Sequence, residues 1–212
     1  MVQNNYSKVF MWMFIGLLVT FATGYFVSTN ENMLLAVFSG WYFFLVIAEF
    51  AVVIFLTARI HKMSETTAKI SFILYSFLTG LTFSCVFVAF DITSIMYAFL
   101  ISSLLFGIFA LIGAFTKIDL SKLSTILLML LVGIILCTLV NMFIGSESFN
   151  FALCIIGLVV FMLYVAYDMQ KIKQLAEIYD GDKLAIIGAL ELYLDFINIF
   201  LRLLELFGRN RD

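Results

Sequence analysis

Seven apolar segments, joined by short polar connectors, make up almost the whole of this chain. Six are continuous apolar runs, and the seventh carries a stripe of polar residues. The segments cover residues 10–28, 33–58, 68–90, 94–115, 123–144, 149–167 and 183–207. A helix needs about 20 apolar residues to cross a bilayer. The sequence therefore predicts an all-α, polytopic membrane protein that forms a single bundle over residues 1–212.

Composition excludes a soluble domain. Hydrophobic residues make up 64% of the chain and charged residues 12%, whereas soluble domains average about 45–50% and about 25%. The formal net charge of −2 argues against a nucleic-acid partner. The cysteines (Cys85, Cys137 and Cys154) lie inside apolar runs and are interpreted as small core residues, and His61 lies in a charged connector. We therefore expect no cofactor. We also expect the lipid bilayer to surround the protein.

Helix breaks and close helix contacts are both expected at small residues. The chain contains no proline, so an interruption of a helix is expected at glycine. Small residues at helical spacing let helices approach closely in lipid. They form three groups: Gly16, Thr20 and Gly24; Ser76, Gly80 and Ser84; Ser103 and Gly107.

The nine basic residues that precede Arg202 lie at one set of segment ends. They are Lys8, Arg59, Lys62, Lys69, Lys117, Lys122, Lys171, Lys173 and Lys183. The connectors at 28–32, 91–93 and 145–148 hold none. By the positive-inside rule, the amino terminus and the connectors after segments two, four and six face the cytoplasm.

The first and the seventh segments each allow more than one topology. No small-residue cleavage site follows the first segment, so it is expected to remain as an uncleaved span. If the seventh segment also crosses, Arg209 and Arg211 lie outside. We expect it to cross; the alternative is a segment that turns back and ends on the cytoplasmic side.

The polar stripe of the seventh segment constrains where that helix lies. Its members are Glu191, Asp195, Asn198, Arg202 and Glu205, at spacings of 4, 3, 4 and 3. Those spacings place all five on one helix face. Because an ionised side chain in hydrocarbon costs about 2.5–3.5 kcal/mol on insertion scales, the stripe cannot face lipid. Six helices are therefore expected to wrap the seventh, with the stripe turned toward a polar interior.

Depth along the helices suggests which charged groups can meet. Asp168 comes about 20 residues after the sixth segment begins, near the cytoplasmic face, where Arg59 leaves the second segment. Asp195 would be about 18 Å deep if the seventh helix entered the membrane at Lys183. If entry lies nearer Ala189, Asp195 reaches the level of Asp168 and the two carboxylates can touch.

Two carboxylates in a site of low polarity share a proton, because both cannot ionise cheaply. Loss of that proton would make the two carboxylates repel each other, unless a cation bound between them. Arg59 could then form an ion pair with Asp168. Calcium takes six to eight oxygen ligands, so two carboxylates and water would bind it weakly, as a permeant ion. The structural alternative, in which Asp168 pairs with Arg59 or Lys171 and Asp195 pairs with Arg202, stays open here.

The stretch GALELYLDFINIFLRLLELF, with YDMQKI upstream, resembles the Bax inhibitor-1 family, and in size the chain is most similar to its small bacterial YetJ-like calcium-leak members. The resemblance implies six helices around a central seventh and a pH-sensitive calcium leak in a bacterial cell membrane. The gating aspartates would be Asp168 in YDMQ and Asp195 in LYLDFIN, with Arg59 engaging the first and Glu49 inside the second span. Glu49, Glu191, Asn198 and Arg202 are the candidate ion-pathway residues. The tail at 209–212 lacks the long charged extension of some eukaryotic members.

Three other functions compete with a leak channel. The first is a non-transporting regulator that binds membrane proteases or cell-death factors, as the resemblance allows, and the second is a proton/calcium antiporter. The third is an intramembrane aspartyl protease, since Tyr167–Asp168 matches the YD half of that motif. Its GxGD half is missing, because Asp195 follows Leu192, Tyr193 and Leu194, so no enzyme activity is expected.

Overall fold

The computed structural model describes residues 2–40, 42–179 and 181–208, which form helices and the connectors between them. The α-helices are α1 (Val2–Thr29), α2 (Glu31–Phe38), α3 (Tyr42–Arg59), α4 (Glu65–Ala89), α5 (Ile92–Phe115), α6 (Ser124–Ile144), α7 (Glu147–Leu175) and α8 (Gly181–Phe207). Short 3₁₀ helices cover Ile60–Lys62 and Leu120–Leu123. Within these residues, seven helices are long and apolar enough to cross a membrane. The prediction of an all-α, seven-span membrane protein is confirmed.

The second predicted segment, 33–58, is not one helix. It divides into α2, which has 8 residues and is too short to span, and α3, which has 18 residues. Between them Gly40 has a φ of +91°, a conformation that glycine adopts without the steric cost of a Cβ. The break therefore lies at glycine, as expected for a chain without proline. Hydropathy did not predict its position, because the apolar run continues through it.

Helix ends follow local capping chemistry. The side chains of Ser64 and Ser146 accept hydrogen bonds from backbone amides in the first turns of α4 and α7. Glu65 and Glu147 follow them, where a negative charge is favourable next to the helix dipole. Gly145 closes α6 with a φ of +67°. α7 runs from 147 to 175 and is longer than the predicted 149–167, so Asp168 lies two turns before the helix ends.

The contacts between helices divide the described chain into two compact units. The first unit holds α1 to α4 with the first half of α8, and the second holds α5 to α7 with the second half. The single bundle over residues 1–212 and the six-around-one arrangement stay predictions. The tail at 209–212, including Arg209 and Arg211, lies outside the described residues.

In the first unit, small residues bring α1 against α4. A Cβ on Gly24 would lie 3.1 Å from the carbonyl oxygen of Gly80, and one on Gly80 would lie 2.8 Å from the carbonyl oxygen of Thr20. The start of α8 is held in the same unit, because the Asp182 carboxylate accepts hydrogen bonds from Lys8 on α1 and Lys69 on α4. Two of the predicted small-residue groups therefore pack as expected.

In the second unit, two contacts fix the part of α7 that carries Asp168. A Cβ on Gly113 of α5 would overlap the backbone of Ala166, so only glycine allows this approach. The Gln170 side chain accepts a hydrogen bond from the Leu120 amide at 2.7 Å and donates one to the Ile118 carbonyl at 2.9 Å. Asp168 thus lies between a tight backbone contact and a clamp on the α5–α6 connector.

The third small-residue group does not form a close contact. A Cβ on Gly107 of α5 would meet no atom within 4 Å. The spacing of Ser103 and Gly107 predicted helix packing here, and that prediction is wrong. Helical spacing places small residues on one face but does not decide which face another helix covers.

Replacing Gly113 by alanine should destabilise the protein by about 1–3 kcal/mol, because the new methyl group forces α5 away from the α7 backbone. Gly133→Ala on α6 is the matched control: its Cβ meets nothing within 4 Å, and alanine favours helix by up to about 1 kcal/mol. Thermal unfolding in detergent would measure both. Equal melting temperatures for the two variants would contradict the proposed contact.

Candidate functional site

The polar stripe of α8 lies on the most buried of the membrane-length helices. In the most apolar window of α8, 78% of the residues are buried, against 11–56% for the other six described spans. Within the stripe, Asp195 is 4% exposed, while Glu191, Asn198 and Arg202 are partly buried and Glu205 is exposed. Burial therefore concentrates on the middle of the stripe, at Asp195.

The two aspartates belong to the second unit, and both are buried. Asp168 on α7 is 6% exposed and Asp195 on α8 is 4% exposed. Both carboxylates interact electrostatically with the hydroxyl of Tyr164, which lies one turn before Asp168, and Lys171 does so as well. Both acids belong to one compact unit. Their role as a gate stays a prediction.

The remaining stripe residues of the second unit have partners of their own. The Asn198 side chain donates a hydrogen bond of 2.8 Å to the Leu194 carbonyl of its own helix. Arg202 forms its ion pair with Glu205, at 3.3 Å. The structural alternative paired Arg202 with Asp195, whereas the ion pair seen among the described residues joins Arg202 to Glu205. Seven residues separate Arg202 from Asp195, about 10 Å along the helix axis, whereas Glu205 is one turn away.

Arg59, Glu49 and Glu191 belong to the first unit. Arg59 is the last residue of α3 and is exposed. Its expected engagement with Asp168, which lies in the other unit, stays a prediction. Glu49 lies in the middle of α3 and is partly buried, as the sequence predicted for an acidic group inside a span.

Glu49 is held by a hydroxyl of α4. Its carboxyl group is 2.8 Å from the hydroxyl oxygen of Thr82, and that hydroxyl is also 2.8 Å from the Thr79 carbonyl. A threonine hydroxyl has one proton and donates to one acceptor at a time. The Thr82 hydroxyl therefore has two acceptors within reach, the Glu49 carboxyl oxygen and the Thr79 carbonyl.

A second buried hydrogen-bonded chain runs through the first unit. Thr20 donates to the Ser76 carbonyl at 2.9 Å, so the Tyr193 hydroxyl donates the 2.6 Å bond that joins it to Thr20. Tyr193, Thr20 and Ser76 are each 0% exposed. Sequence reasoning assigned Thr20 and Ser76 to packing and gave no role to Tyr193 or Thr82. Their hydroxyls within apolar helices were the available sign, but spacing along one helix cannot identify partners on another.

Acidic and metal-ligating side chains do not cluster in the part of the chain that the structure describes. Across residues 2–40, 42–179 and 181–208 there is no group of three or more His, Cys, Asp or Glu side chains that could hold a metal ion. Asp168 and Asp195 are both buried. Two carboxylates supplemented by water can hold a divalent cation briefly, because Ca²⁺ takes six to eight oxygens.

Fold and site together define a multi-pass integral membrane protein with buried carboxyl groups. The family described as "Inhibitor of apoptosis-promoting Bax1" matches residues 2–212. The chain is 40% identical to "Inner membrane protein YbhL" of Escherichia coli, over 99% of this chain and 93% of that protein. It is 36% identical to an uncharacterized protein of Borreliella burgdorferi, over 100% and 95% of the two chains. The chain belongs to the Bax inhibitor-1 family.

Glu49→Gln should change the free energy of unfolding by less than about 1 kcal/mol, because the amide oxygen can accept the Thr82 hydrogen bond as the carboxyl oxygen does. Glu49→Ala should cost about 1–3 kcal/mol, since it removes the acceptor and leaves space in the unit. Thermal melts in detergent at neutral pH compare the two variants. A Gln variant as unstable as the Ala variant would show that the carboxylate form is required.

Proposed function

We propose that this protein is a pH-sensitive calcium leak channel of a bacterial cell membrane, gated by Asp168 and Asp195. The burial of both carboxyl groups in one compact unit is the observation that carries the proposal. Two acids so placed titrate as a pair, and the pair holds one proton more readily than none. Protons and calcium ions then compete for the same oxygens.

Opening and closing of the proposed gate follow from the competition between protons and calcium ions. With one proton shared, a hydrogen bond between carboxyl and carboxylate closes the pair. When this proton leaves, two negative charges repel, and a cation or the guanidinium of Arg59 stabilises them. Calcium flux is therefore expected to rise with pH. Because the pair supplies few ligands, calcium passes and is not stored.

The ion path in this proposal follows the polar residues that lipid cannot accommodate. Glu191, Asn198 and Arg202 lie on α8, and Glu49 lies on α3. The family membership and the similarity to an inner membrane protein support the location in a bacterial membrane.

The proposed orientation places the amino terminus in the cytoplasm. The nine basic residues of the amino-terminal segment and the connectors predict it by the positive-inside rule. In the first unit Asp182 accepts hydrogen bonds from both Lys8 and Lys69, and this topology puts the three segment ends that carry them on one side. That contact supports a common side for the three ends.

Asp195→Asn should make calcium flux insensitive to pH, because a neutral amide cannot share a proton with Asp168. The test is calcium influx into liposomes that contain the purified protein and an internal calcium dye, between about pH 5 and pH 8. Asp168→Asn should behave alike. Preserved pH dependence in both variants would contradict the proposed gate.

Asp119→Asn is the matched control, since it makes the same exchange at an exposed acid between α5 and α6. Hydrogen bonds from the Ser121 hydroxyl and the Ser121 amide hold the pKa of Asp119 below its ordinary value, so it stays ionised over the tested range. Its flux should keep the wild-type pH profile. A wild-type protein that leaks no calcium at any pH would instead favour the regulator, and uphill transport driven by a proton gradient would favour the antiporter.

A further inference from the structure

A second charged group lies in the membrane-spanning part of the second unit, and the proposed gate does not use it. We call it the Arg202 cluster: Asn150, Cys154 and Gly157 on α7 with Arg202 and Glu205 on α8. The Arg202 guanidinium pairs with Glu205 at 3.3 Å and lies 3.9 Å from the Cys154 sulfur. Asn150 donates a 2.6 Å hydrogen bond to the other oxygen of Glu205.

Gly157 makes room for the arginine. A Cβ at this position would lie 3.0 Å from Nε of Arg202 and 3.4 Å from its Cδ. Glycine inside a helix costs roughly 1 kcal/mol relative to alanine, so its presence in the middle of α7 fits the need for this space. With only 16% of its side chain exposed, Arg202 is held in place and does not extend freely into solvent.

The cluster lies apart from the aspartate pair along the helices. Arg202 follows Asp195 by seven residues on α8, about 10 Å, and Gly157 precedes Asp168 by eleven residues on α7, about 16 Å. Both offsets run away from the connector that joins α7 to α8. A cation that follows the polar stripe of α8 therefore meets the aspartates and the arginine at different depths.

We propose that the Arg202 cluster is a charge filter, in series with the aspartate gate, that sets how readily divalent cations pass relative to monovalent ones. The inference rests on the proposed leak function. A guanidinium is always charged in proteins, and its Coulomb repulsion is proportional to the charge of the passing ion. Glu205 offsets part of that repulsion. The electrostatic barrier from this charge is thus twice as high for Ca²⁺ as for a monovalent cation. Because flux depends exponentially on the barrier, the factor by which Ca²⁺ flux changes is the square of the factor for the monovalent ion.

The test compares influx of Tl⁺ and Ca²⁺ into the same liposomes with dyes for each ion. Removing the fixed charge in Arg202→Gln should raise Tl⁺ influx on the order of threefold and Ca²⁺ influx on the order of tenfold. Glu205→Gln should lower both, with the larger loss again for Ca²⁺, because Arg202 is then uncompensated. A purely structural role would move both variants in one direction and both ions by one factor.

Gly157→Ala displaces the guanidinium without changing any charge. It should alter the ratio of Ca²⁺ to Tl⁺ influx, whereas Gly107→Ala, with no atom within 4 Å of its new methyl group, should leave the ratio at the wild-type value. This pair of variants keeps the test valid if Arg202→Gln does not fold.

The outcomes separate this inference from the proposed gate. Arg202→Gln should keep the pH dependence that Asp195→Asn loses, since the two groups act at different depths. An unchanged Ca²⁺ to Tl⁺ ratio in Arg202→Gln, Glu205→Gln and Gly157→Ala would overturn the charge filter and leave the pH gate standing. A wild-type protein without cation flux would overturn both.

Discussion

This structure depends on one constraint, the high free energy of an ionised side chain in hydrocarbon. α8 carries five polar residues in one stripe and is also the most buried of the described spans. In the second unit Asn198 bonds to its own backbone, and Arg202 pairs with Glu205. Asp195 is the most deeply buried member of the stripe.

Close approach between helices supports that arrangement. In lipid, helices associate through packing and hydrogen bonds, because apolar surface gains little by leaving apolar solvent. Two glycines of the second unit each lie beside a functional group. Gly113 admits the α7 backbone two residues from Asp168, and Gly157 admits the side chain of Arg202. The depth and rotation of α7, and with them the position of Asp168, follow from these contacts.

Most of the fold was predictable, because span length and hydropathy depend on the local sequence alone. The exception, residues 33–58, shows the limit: Gly40 breaks the helix without changing hydropathy. For the site, the burial of Asp195 agrees with the expectation from the stripe. The structural alternative paired Arg202 with Asp195, but Arg202 forms an ion pair with Glu205. Glu205 is one helix turn away, whereas Asp195 is about 10 Å away along the helix axis.

The sequence by itself determined that this is a seven-span membrane protein, and that Glu191, Asp195 and Glu205 of α8 share one face, because transfer free energies and the helical period are properties of the chain. Only the tertiary structure decided which side chains meet. Tyr193 bonds to Thr20, 173 residues away, and Glu49 bonds to Thr82 on the next helix. Such pairs depend on the rotation and depth of each helix, which packing between helices sets and no single segment encodes.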